Sequence, residues 1–182
     1  ESIRVDPDVE FVVCRHEENA AFMASGEARV TGNLAVAVAC QGPGANNLLN
    51  GLADAAGDRV PVLAITGQVD SDRIGSGMPQ ESSQLKIFDD IAVFNAEART
   101  PENLMEMLHL AINAALTHRG VAHISVPSDV MNCVTTVIGR VESSAKCLAF
   151  GRKENLRISV LVTSSYACRE RESRGACERT TP

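Results

Sequence analysis

Val9-Glu10-Phe11-Val12-Val13-Cys14-Arg15-His16-Glu17-Glu18-Asn19-Ala20-Ala21-Phe22-Met23-Ala24 changes period half-way along. The stretch up to Cys14 is mostly apolar and has the composition of a short buried strand. From His16 the alanines recur at helical spacing, at Ala20, Ala21, Ala24 and Ala28. A carboxylate, Glu17, therefore falls where a strand hands over to a helix. Open α/β sheets place ligand chemistry at such junctions, beyond the carboxyl ends of their strands. Two more junctions come later, Gln41-Gly42-Pro43-Gly44-Ala45-Asn46-Asn47 and Thr66-Gly67-Gln68. Three strand ends that finish in polar or glycine-rich residues predict one shared site.

Working outward, Leu34 to Cys40 is a continuous apolar run with AVAVA at its centre. Such a run suits a parallel strand buried on both faces. The first helix is expected over His16 to Val30, closed by Gly32 at the C′ position. After a break at Gly42-Pro43-Gly44, a second helix is expected over Ala45 to Ala56. Val60 to Thr66 reads as a strand, and Gly67 to Ser83 as a long polar loop of the kind that is usually functional. A helical turn at Lys86 to Asp90 and a strand at Ala92 to Asn95 come next. A helix over Pro101 to Thr117 has Thr100 as its N-cap, and a last strand covers Val121 to Val126. This alternation predicts an α/β fold, a parallel sheet flanked by helices on both faces.

At 182 residues and 45% apolar, the chain has the length and composition to bury a core. Aromatics make up 3% and Trp is absent, so that core must be aliphatic. A net charge of −6 argues against a nucleic-acid surface. No apolar run reaches membrane-spanning length, and the first residues lack the apolar core of a signal peptide. The six cysteines show no zinc spacing and no disulfide framework, and the histidines stand apart from other ligands, so no metal site is read. A cytoplasmic location is expected.

Beyond Asn132 the character changes. Residues 140–182 mix Arg, Glu, Ser and Cys with little periodicity, as in Cys168-Arg169-Glu170-Arg171-Glu172-Ser173-Arg174. Ile158 to Thr163 reads as one short strand. Two parts are expected: a domain over 1–132, and an atypical tail over 133–182 that is disordered or out of frame.

RHEENAAFMASGEARVTGN (15–33) followed by GPGANNLLNGLADAAGDRVPVLAITGQ (42–68) resembles the pyrimidine-binding (Pyr) domain of thiamine-diphosphate enzymes, in the pyruvate oxidase and acetolactate synthase group. The resemblance runs from about Val9 to about Val130. It implies the thiamine-diphosphate-binding Pyr fold, without the family's first strand and helix, which are not found before Glu1. It also implies decarboxylation of pyruvate or a related 2-oxo acid within a larger homo-oligomeric assembly. The family's Gly-Asp-Gly motif for diphosphate and Mg²⁺ is missing, since Gly57-Asp58-Arg59 lacks the second glycine. The diphosphate-binding domain of another subunit would supply that half, and the isolated chain would be inactive. QESSQLKIFDDIAVFNAEA (80–98) leans towards the pyruvate oxidases, where FAD binds through a further domain. Two other readings stay open: the Pyr subunit of a two-chain 2-oxo acid decarboxylase, and a non-catalytic Pyr-like binding module.

The resemblance makes Glu17 the catalytic residue, sharing a proton with N1′ of the thiamine aminopyrimidine. A helix N-terminus stabilises its charged form by roughly 0.3–1 kcal/mol, while desolvation raises a fully buried carboxyl by up to about 3–5 pH units. In a closed site desolvation wins. Taken alone, Glu17 and Glu18 are ordinary first-turn acids. Gly42, Pro43, Gly44 and Asn47 correspond to the loop that lines the pyrimidine, with glycines that admit close backbone approach; taken alone, they are a turn. Gln80 corresponds to a substrate-side glutamine, although Pro79 stands where the family has Phe, and it equally reads as an exposed loop residue. Gln68 reads as structural support and His16 as a hydrogen-bonding residue at the strand end.

Overall fold

The computed structural model describes residues 10–132 and the strand at 159–163. Strand β1 (Glu10–Cys14), helix α1 (Glu17–Thr31), strand β2 (Ala35–Ala39), helix α2 (Pro43–Gly57) and strand β3 (Val62–Gln68) come first. A 3-10 turn at Ser71–Arg73 leads to the short helix α3 (Gln84–Phe88). Strand β4 (Ala92–Glu97), helix α4 (Pro101–His118) and strand β5 (Val121–Pro127) follow, and β6 (Ser159–Thr163) is the last described element. All neighbouring strands pair in parallel, in the order β1-β6-β2-β3-β5-β4.

The expected α/β architecture is present, with helices on both faces. Alternation in β2 explains why: Ala35, Ala37 and Ala39 face one apolar cluster, while Val36 and Val38 face the other. The first cluster holds Ala20, Ala24, Leu48, Leu52 and Phe88 from α1, α2 and α3. The second holds Leu104, Ala111 and Ala115 from α4 against Leu63 and Ile124. Small residues let α1 and α2 pack almost backbone to backbone. A Cβ added at Gly51 would lie 2.6 Å from Ala21 Cβ and 2.5 Å from the Phe22 amide nitrogen.

β6 lies inside the sheet, between β1 and β2. Glu10 pairs with Ser159 and Cys14 with Thr163 on one side, and Val36 pairs with Val160 on the other. Consecutive strands β1 and β2 thus reach each other only through a segment from far along the chain. The strand expected at Ile158 to Thr163 is therefore found, at Ser159–Thr163. The remaining tail and the connector over 1–9 lie outside the described residues.

Several boundaries differ from expectation. Gly42-Pro43-Gly44 does not break the chain, because α2 starts at Pro43. Proline's fixed φ fits a first helical turn, where its missing N–H costs nothing. β3 continues through Gly67 and Gln68, held by pairing to Val126 and Pro127. α3 starts at Gln84 rather than Lys86, and β4 runs on to Glu97. The ends of α1 and α4 were legible: Gly32 caps α1 with φ 74°, and Thr100 Oγ1 accepts the Asn103 amide at 3.2 Å.

Candidate functional site at the carboxyl edge of the sheet

Glu17 is the first residue of α1, and its neighbour His16 caps the helix through Nδ1, which accepts the Glu18 amide at 3.3 Å. His16 thus has the structural role expected of it. Although charged by type and next to exposed residues, Glu17 is only 8% exposed. Asn47 Nδ2, one turn into α2, donates to Glu17 Oε2 at 3.1 Å. A parallel tie joins Asn50 Nδ2 to Glu18 Oε1 at 3.0 Å. The two acids that open α1 are therefore gripped by two amides of α2, the part-buried pair inside and the exposed pair outside. A buried carboxylate held by an amide donor keeps a fixed position.

The glycines of the second junction serve the protein's own packing. A Cβ at Gly44 would stand 2.4 Å from Cys40 Sγ and 3.3 Å from Glu17 Oε1, so only glycine lets the first turn of α2 close over Glu17. Gly42 has φ 57°, and a Cβ there would stand 2.2 Å from the backbone oxygen of Gln80. Pro43 is exposed on the helix start.

Gln80 lies on the loop between β3 and α3 and has φ 66°, in the left-handed region. It lines a cleft of about 440 Å³ with Gln41, Val69, Asp70, Arg73, Met78, Pro79 and Ser128. These residues lie beyond the ends of β2, β3 and β5. The structure thus brings Glu17, Gly44 and Asn47 together on one side and places Gln80 in the cleft on the other, with Gly42 touching the Gln80 backbone between them. Glu17 does not line this cleft. Gln68 is buried and gives structural support: its Nε2 donates to Ser82 O and its Oε1 accepts the Val69 amide, each at 3.0 Å. At the loop's start Asp129 accepts from the Ser71 amide at 3.0 Å and from its hydroxyl, which holds the Asp129 carboxyl below its ordinary range.

A buried polar network beneath this loop was not read from the sequence. His123 on β5 is fully buried and stacks on Phe88 at 4.0 Å. Its Nε2 lies 2.8 Å from Thr66 Oγ1 and its Nδ1 2.7 Å from Asn95 Oδ1. The Thr66 hydroxyl donates to Gln84 Oε1, and Gln84 Nε2 donates to Gly67 O at 2.7 Å. Burial pulls the imidazole down to about 3, so at ordinary pH the ring is neutral and its single N–H donates to Thr66 or to Asn95, not both. The signal was available: His123 and Ser125 interrupt an apolar strand at alternate positions, marking one face as polar. Among the described residues no three His, Cys, Asp or Glu side chains come together in a way that could hold a metal ion, and no helix is long and apolar enough to cross a membrane.

Residues 1–87 match the model of the thiamine pyrophosphate enzyme N-terminal TPP-binding domain. The chain is 46% identical over 122 residues to the putative thiamine pyrophosphate-containing protein YdaP of Bacillus subtilis, covering 67% of this chain and 21% of that protein. It is 41% identical over 128 residues to the probable acetolactate synthase large subunit of Methanocaldococcus jannaschii, covering 70% and 22%. It is 36% identical over 122 residues to the pyruvate oxidase of Lactiplantibacillus plantarum, covering 67% and 20%. The chain thus spans about a fifth of the length of these curated relatives.

Proposed function

We propose a function from one premise: the chain belongs to the thiamine-diphosphate-dependent enzymes, through their N-terminal pyrimidine-binding domain. Within a larger assembly it would hold the aminopyrimidine half of thiamine diphosphate and take part in decarboxylating pyruvate or a related 2-oxo acid. Relatives named acetolactate synthase and pyruvate oxidase support that substrate class. The observation that carries the reading is Glu17, a buried carboxylate at the end of β1 held by Asn47 beside the closely packed Gly44. These residues fit an aminopyrimidine, which offers ring nitrogens and an amine to a carboxylate.

When bound, thiamine diphosphate supplies a thiazolium carbon that adds to a 2-oxo acid and accepts the electrons released on decarboxylation. Glu17 holds a proton at N1′ of the pyrimidine, and Asn47 keeps its carboxylate in place. Gly42, Pro43 and Gly44 shape the wall beside the ring. Gln80 faces the substrate from the cleft. Mg²⁺ and the diphosphate are held by a domain of another subunit, FAD in an oxidase version by a further domain, and the whole works as a homo-oligomer. The free thiols of Cys14 and Cys40 suit a reducing cytoplasm.

The test is deuterium exchange at C2 of the bound cofactor in the assembled enzyme. Glu17→Gln slows it by about 10²–10⁴-fold, the usual worth of a positioned proton-transfer group. Exchange at the wild-type rate removes Glu17 from the chemistry and the reading with it.

A further inference from the structure

The loop that carries Gln80 is folded around a carboxylate. Glu81 Oε1 accepts the Gly75 amide at 2.6 Å, and Oε2 accepts the amides of Gly77 and Met78 at 2.9 and 3.2 Å. Gly75 and Gly77 have φ 90° and 73°, the left-handed conformations that turn successive N–H groups to one side. The Glu81 amide closes the turn onto Met78 O at 3.0 Å. Gln80 is thereby held at φ 66°, a conformation a side-chain-bearing residue adopts only when its surroundings impose it. Its backbone oxygen rests where any side chain at Gly42 would stand.

We infer that Glu81 is a positioning residue: its carboxylate ties the loop over 75–78 so that Gln80 seats on Gly42. This sets the distance between the cleft and the first turn of α2, and hence between Gln80 and the Glu17–Asn47 pair. Glu81 touches no substrate in this role; it acts through Gln80 and Gly42. The inference rests on the ligand-binding reading of the carboxyl edge for its purpose, though not for its geometry.

The test uses the 182-residue chain, its Glu81→Gln and Glu17→Gln variants, and backbone amide exchange measured residue by residue. Charge-assisted bonds are about twice as strong as neutral ones, so Glu81→Gln speeds exchange at Gly75, Gly77 and Met78 by about tenfold or more. The Gly42 amide resonance shifts with them, while β3 and β5 exchange as before. Glu17→Gln leaves the three loop amides unchanged, which separates this inference from the proposed function. Unchanged loop exchange in Glu81→Gln overturns the inference, as does faster exchange spread evenly over the whole sheet. In the assembled enzyme Glu81→Gln raises KM for the 2-oxo acid about tenfold with kcat little altered; an unaltered KM also overturns it.

Discussion

Mild acid should loosen this fold through one residue. An imidazole in the unfolded chain titrates near 6.5, whereas burial holds that of His123 at about 3. Between those values the unfolded state binds a proton that the folded state refuses. Stability is therefore complete above about pH 6.5 and falls as the pH drops, by roughly 1.4 kcal/mol per pH unit. From pH 6.5 to 5 the loss comes to about 2 kcal/mol, a sizeable part of a typical domain's stability. The other three histidines, His16, His109 and His118, are exposed. Asp54 and Asp129 have lowered folded values, so their contribution is lost only as the pH falls below the ordinary carboxylate range. The assay is the urea midpoint at pH 7, 6 and 5 for the wild type and for His123→Gln, whose amide offers a donor and an acceptor but does not titrate. The variant costs about 1–3 kcal/mol at pH 7, through unsatisfied partners. What decides the matter is the slope: equal slopes in both proteins would refute the assignment to His123.

Two glycine substitutions should have opposite signs. Gly51→Ala pushes a methyl into Ala21 and the Phe22 backbone, and overpacking of about 1–3 kcal/mol outweighs the helix-propensity gain of about 1 kcal/mol. Gly26→Ala, in α1 with nothing within 4 Å of its new Cβ, should stabilise by about 0.5–1 kcal/mol; thermal midpoints of the pair check both. Leu52→Ala removes a fully buried side chain and should cost about 2–5 kcal/mol by urea titration. Deleting 159–163 removes the ladder between β1 and β2, so β1 amides should exchange much faster while β5 amides hold; equal protection of β1 would show that β6 is dispensable.

Much of the fold was legible because its signals are local. AVAVA in β2 declared a strand buried on both faces, and the β2 side chains do divide between two clusters. Gly32 and Thr100 marked helix ends through conformational and capping preferences that need no tertiary context. Pro43 misled because proline both stops a helix and starts one, and the residues on its carboxyl side decide between the two. The site was half legible. Glu17 stood out by its place at a strand end, but its bond to Asn47 joins two helices and depends on their packing. The role of Gly42 was invisible as well, since it makes room for Gln80, which sequence order does not put beside it. The Thr66–His123–Asn95 network depends on which strands are neighbours, and no single stretch records the order β3-β5-β4.

The central position of β6 sets synthesis against assembly. A ribosome delivers Glu10 early and Ser159 late, yet the two are paired in the finished sheet. Until Ser159 emerges, β1 and β2 lack the strand that lies between them in the finished sheet, so each would offer an unpaired edge. Unpaired edges are templates for any extended segment at hand, including the same segment of another nascent chain. Dense translation of this message therefore selects between closure by the chain's own strand and cross-pairing between polysome neighbours, and the yield of correctly folded protein should fall as ribosome spacing shortens.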